Sequence, residues 1–160
     1  MRSLRYLWAF PASLLGLLVG FVGLFTGSGF QVRKGILEIW GGFADTALNV
    51  GIPGIGGMPA MTLGHVIIAR DKRLLRRWRN HERIHVEQYE RLGPFLIPAL
   101  FGWALWLYAT GRDPYYDNPI EREAYGRVPF PTHVRTRPRR SRVAAAAHKL
   151  VRNSVRTKTA

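Results

Sequence analysis

His81-Glu82-Arg83-Ile84-His85 sets two imidazoles four residues apart, with a carboxylate beside the first. On a helix, residues four apart share a side, so both rings can bind a single tetrahedral zinc ion. Glu82 is rotated about 100° from His81 at 3.6 residues per turn, close enough to reach a water on that metal without being a ligand. A metal lowers the pKa of such a water towards about 7, and a carboxylate so placed takes the proton and later delivers it to a leaving amine. The pattern predicts hydrolytic chemistry on zinc with Glu82 as general base. The plainer reading is a pair of interior histidines hydrogen-bonded to backbone; against it, a chance match in a chain of this length is below roughly 1%. The chain has no cysteine, so no thiolate ligand, thiol nucleophile or disulfide is available, and any zinc must be held by His and carboxylate.

A helix must carry this motif. Asp71 suits the N-cap of a helix running to about Leu92, where Gly93-Pro94 stops it. Leu74, Trp78, His81, His85 and Leu92 fall near one stripe of that helix, while Arg73, Arg76, Arg83, Glu87 and Glu90 take the other sides. Upstream, residues 35–40 and 61–69 are short, rich in branched residues and bounded by Gly and Pro, and they read as strands. Residues 51–59 between them read as a loop without the Lys-Ser/Thr of a phosphate cradle, so no nucleotide is expected there. Residues 92–110 form a second apolar segment at the lower limit of a membrane span, and Asn118-Pro119-Ile120-Glu121 opens a short helix to about Tyr125.

His81, Glu82 and His85, followed by Glu121-Arg122-Glu123-Ala124, resemble the gluzincin class of zinc metallopeptidases. In that class a His-Glu-x-x-His helix is completed by a Glu from a later helix, often within a Glu-x-x-Ala-Asp pattern. The resemblance covers the two helices and the strand before them, under half the chain. It implies a zincin-like α+β fold, one catalytic zinc ion and hydrolysis of a peptide or protein substrate. It also implies Glu121 as third protein ligand, with Glu123 its substitute, and a substrate-aligning edge strand within residues 61–69. Tyr125 stands where the pattern has Asp, and Arg83 is charged on the side away from the His face. Glu121 has a second reading as the N3 member of a capping box, with Asn118 at N-cap and Pro119 at N1. His65 is open as a ligand, an oxyanion donor or a packed strand residue. Tyr115, Tyr116 and Tyr125 are open as oxyanion donors or membrane-surface anchors.

From residue 6 to residue 32 no side chain is charged; Arg2 and Arg5 precede the run, and Arg33 and Lys34 follow it. This predicts a retained membrane-spanning anchor rather than a signal peptide cut near Gly27-Ser28-Gly29, because the stretch exceeds an h-region of about 7–15 residues. The expected organisation is an anchor over 1–32, a zincin-like metal-binding domain over 33–126, and a basic disordered tail over 127–160. The net charge is +14, and the tail holds ten Lys or Arg and no acidic residue. Each such cation near an anionic surface is worth about 1 kcal/mol, so the expected partner of the tail is a layer of anionic lipid headgroups. The tail lacks interleaved aromatics that stack on bases, which argues against nucleic acid. If 92–110 crossed a membrane, about 30 Å of hydrocarbon would part His81 from Glu121, so that segment must fold back or dip into one leaflet. The cation distribution places the catalytic region on the cytoplasmic face of a bacterial cytoplasmic membrane. Two other function classes are a non-enzymatic membrane protein with a structural metal site and a basic membrane-surface adaptor. Glu82 separates the peptidase from the structural site, which has no need of a general base.

Overall fold

Two turns decide the sheet. In the computed structural model, which describes residues 2–51 and 57–128, Lys34 and Gly35 take φ of 54° and 79° and close a two-residue hairpin. Positive φ at both central positions gives the twist that suits such a turn. The hairpin joins β1 (Gly29–Arg33) to β2 (Ile36–Trp40). A second reversal, at Gly64 with φ 61°, joins β3 (Ala60–Leu63) to β4 (Val66–Ala69). β2 and β4 pair in parallel, Leu37 opposite Val66 through Trp40 opposite Ala69, and the strand order is β1-β2-β4-β3. The single strand expected over 61–69 is therefore a hairpin, since a left-handed Gly64 folds the chain back midway. Part of the expected loop, residues 52–56, and the basic tail beyond 128 lie outside the described residues.

The apolar N-terminal run is also split. Helix α1 (Arg2–Leu24) ends before Gly27 (φ 77°), and residues 29–32, expected within the anchor, belong to strand β1. On α1, Ala9, Ala12, Ser13, Gly16, Gly20 and Gly23 are buried at spacings of one to four, forming a single flank. A Cβ on Gly16 would lie 2.6 Å from Val66 Cβ, and one on Gly20 would lie 2.8 Å from Ile39 Cδ1. The small residues thus let α1 lie close against the sheet. Ser13 Oγ ties it there, accepting from the His65 backbone N–H at 2.9 Å and donating to Ala9 O at 3.1 Å. The opposite flank, including Leu14, Leu17, Leu18, Phe21 and Phe25, is exposed. Helix α2 (Phe43–Val50) adds Ala44 and Leu48 to a core with Ile39, Val66 and Ile68.

Helix α3 (Lys72–Leu92) begins where Asp71 accepts from the backbone N–H groups of Arg73 and Leu74, both at 2.7 Å, and ends at Gly93 (φ 57°). Its buried set is Leu75, Trp78, His81, Glu82, Ile84, Val86, Gln88 and Tyr89, while Leu92 is exposed and Leu74 only half-buried. The burial is wider than one amphipathic stripe because α3 has neighbours on several sides: α1, α5 (Pro119–Arg127) and the sheet. A 3-10 turn (Gly93–Phe95) leads into α4 (Leu96–Ala109). Asn118 caps α5, accepting from Ile120 N–H at 3.1 Å and donating to Leu100 O, mid-α4, at 3.0 Å. Residues 92–110 therefore do not carry α5 away from α3. The described residues lie within one compact unit, of the α+β class.

Candidate metal centre

His81 and His85 project from α3 towards Glu121 on α5. Their Nε2 atoms lie 3.2 Å apart. Glu121 Oε2 is 3.5 Å from His81 Nε2, and Oε1 is 3.7 Å from His85 Nε2. Zinc bonds of about 2.0–2.2 Å at tetrahedral angles place neighbouring donors roughly 3.4 Å apart, so the three separations match one small coordination sphere. His81 and Glu121 are 5% and 7% exposed. Glu121 Oε2 has no hydrogen-bond donor, an uncompensated state for a buried carboxylate oxygen unless a cation faces it. The residues fit a metal ion, with two imidazoles and one carboxylate as donors.

Two side chains that the sequence did not single out orient this group. Gln88 Oε1 lies 2.7 Å from His85 Nδ1, which donates to it and so leaves the Nε2 lone pair towards the site. Gln88 Nε2 in turn donates to Ile120 O at 2.9 Å and Glu123 Oε2 at 3.0 Å, joining α3 to α5. Thr62, on β3, donates to Glu82 Oε2 at 2.8 Å. Glu82 is 4% exposed. Burial pushes its carboxyl above the usual range, outweighing the pull of His85, His81 and the Thr62 hydroxyl. Neither signal was legible beforehand: Gln88 is an ordinary helix former three residues past His85, and Thr62 an ordinary strand residue.

The remaining expected residues separate clearly. Glu123 faces Arg91, whose Nη2 donates to it at 2.6 and 2.7 Å, and lies outside the cluster. Those hydrogen bonds hold its carboxyl below the usual range. His65 is also elsewhere, stacked on Tyr6 with ring centroids 3.9 Å apart and 3.3 Å from Glu90. Tyr125 does reach the site, its ring 4.6 Å from that of His81, and its hydroxyl shares a 2.6 Å hydrogen bond with Tyr115. Burial, with Glu121 among the further causes, pushes both phenols up, so both stay protonated. Tyr116 packs edge-on against Tyr115. The capping-box reading of Glu121 does not hold geometrically, since the Asn118 N–H goes to Tyr115 O at 3.2 Å while the Glu121 carboxylate faces the histidines.

The fold and site together define an α+β protein with a buried His-His-Glu group that could hold a metal ion. No protein-family model matches the chain, and no curated protein or solved structure matches it.

Proposed function

We propose that this chain is a membrane-associated, zinc-dependent peptidase of the His-Glu-x-x-His type, similar to the gluzincins. What carries the reading is that His81, His85 and Glu121 converge while Glu82, one residue along the same helix, is a buried carboxylate outside that donor set. Two imidazoles and a carboxylate suit zinc and leave a fourth position for substrate. Bound there, zinc would supply Lewis-acid polarisation of a carbonyl and activation of a water. Glu82 takes the proton from the attacking water and returns it to the leaving amine, and a carboxyl pKa raised by burial favours that return. The protonated pair Tyr115 and Tyr125 offers an O–H to the developing oxyanion. β3 is one of the two outer strands of the sheet and carries Thr62, so an extended peptide pairing with its outer edge would run beside Glu82.

The exposed apolar faces of α1 and α4 supply the membrane attachment, on the cytoplasmic side of a bacterial membrane, and the basic tail adds affinity for anionic headgroups. The test is elemental analysis and peptide hydrolysis on the full chain in detergent. Wild type and Glu82→Gln should each hold about one zinc, and only wild type should hydrolyse a peptide library. Turnover unchanged by Glu82→Gln, or metal content unchanged by both His81→Ala and His85→Ala, would sink the reading.

A further inference from the structure

On the side of α3 away from the two metal-facing histidines, a cleft of about 560 Å3 opens between the start of α1, the β1–β2 turn and α3. Its cations outnumber its carboxylates, five against two. Arg5 is paired with Glu90 at 3.1 Å and Arg127 with Glu87 at 2.7 Å, while Arg91 is held by Glu123. Lys34 and Arg83 line the same cleft and make no ion pair among the described residues.

Three independent features separate this cleft from an ordinary basic surface. Lys34 sits at φ 54° at the tip of the β1–β2 hairpin, a turn position that Asn, Asp or Gly takes at lower cost. His65, 7% exposed, lines the cleft, and its Nδ1 has no hydrogen-bond partner. The frame is also preorganised: Tyr6 stacks on His65 and donates through its hydroxyl to Gly35 O at 3.1 Å, fastening α1 to the very turn that presents Lys34.

We propose that this cleft binds a phosphate-bearing molecule, with Lys34 and Arg83 as the anion-binding cations and His65 in the wall beside them. A phosphate accepts from a guanidinium fork and an ammonium together, and the volume accommodates a phosphate with a small polyol attached rather than a bare ion. Two sources present that chemistry. One is a phospholipid headgroup, since Arg5 and Tyr6 lead directly into the exposed Leu7, Phe10 and Leu14 of α1; the other is a free phosphorylated solute.

The test titrates the full chain, in maltoside detergent, with inorganic phosphate in one arm and short-chain phosphatidylglycerol in the other. It reads the 15N shift of the His65 imidazole and the 31P linewidth. Saturation at about one ligand per chain is expected in at least one arm. Saturation by phosphate marks a soluble ligand, and saturation by the phospholipid alone marks a headgroup. In the Lys34→Asn, Arg83→Gln double variant the affinity should fall tenfold or more, while the basic tail by itself would give many weak sites blind to both changes. Asn suits the turn at position 34, so the melting temperature should hold and a loss of binding is not a loss of fold. No saturation in either arm, or a folded double variant that binds like wild type, overturns the proposal.

Discussion

Gln88 does for His85 what the second layer of a metal site does elsewhere: it fixes the ring and its tautomer, and it ties that ring to the helix bearing the third donor. Gln88→Leu should therefore weaken metal binding about 10–100-fold while α3 persists, measured by competition against a chelator. An affinity equal to wild type would remove Gln88 from the site. Glu121→Gln should also weaken metal binding yet leave α5 formed, because Asn118 alone caps that helix. Asn118→Ala, in contrast, should cost about 1 kcal/mol with or without metal. At this scale the sequence was informative where chemistry and spacing coincide, as at His81, Glu82 and His85. It was silent where the partner is a backbone oxygen from a distant helix, as Ile120 O is for Gln88. Glu121 and Glu123, two residues apart, were not separable by type; the nearby Arg91 and Arg127 draw Glu123 away.

Among the elements, the capped helix α3 was the most legible, since Asp71 and Gly93 mark its ends in the sequence. The hairpins were not, because the strands are only four or five residues long and the positive φ values of Lys34 and Gly64 are not written in a hydropathy pattern. Sheet and helix are joined by Glu38, 1% exposed on β2, which accepts from Arg79 Nε at 2.7 Å and Nη2 at 2.9 Å, and also from Gln31. Burial pushes the Glu38 carboxyl up, but the hydrogen bonds from Arg79 and Gln31 prevail and hold it below its ordinary value near 4.5. A folded pKa below the unfolded one means the pair stabilises the fold above about pH 4.5, and that this is lost as pH falls through the folded value. Glu38→Gln should flatten the acid limb of a stability-versus-pH curve and cost about 3 kcal/mol at neutral pH, since it leaves Arg79 half-buried without its counter-charge. An unchanged acid limb would show that the pair is not linked to folding. The close approach of α1 to the sheet gives a second expectation: Gly16→Val forces a branched side chain against Val66 and should destabilise by about 1–3 kcal/mol in thermal unfolding.

For the whole molecule, the question is how α1 would meet a membrane under the proposed attachment. Leu4–Leu24 is long and apolar enough to cross, at about 31 Å for 21 helical residues. Its inner flank, however, is covered, Ala9 and Ala12 by Tyr89, Leu96 and Ile120, and Gly16 and Gly20 by the sheet. A crossing helix would draw that sheet into hydrocarbon, including the free edge of β1, at several kcal/mol for each unpaired backbone group. An in-plane position, with only the outer flank of α1 in one leaflet, avoids this cost. Because the chain has no native cysteine, single Leu4→Cys and Thr26→Cys variants can be labelled cleanly. Both should react with an impermeant maleimide from the same side of sealed vesicles, whereas reaction from opposite sides would establish a crossing.

The small-residue flank of α1 also sets an order of events during synthesis. Gly16 leaves the ribosome fifty residues ahead of Val66, the residue it must meet. At about 5–20 residues per second, that leaves the helix without its sheet for roughly 3–10 s. Through that interval the exposed leucines and phenylalanines can bury themselves only in lipid or in a chaperone, so whichever holds them is the surface on which the rest of the chain is assembled. A chain synthesised without residues 1–27 loses that template and should accumulate as an insoluble product.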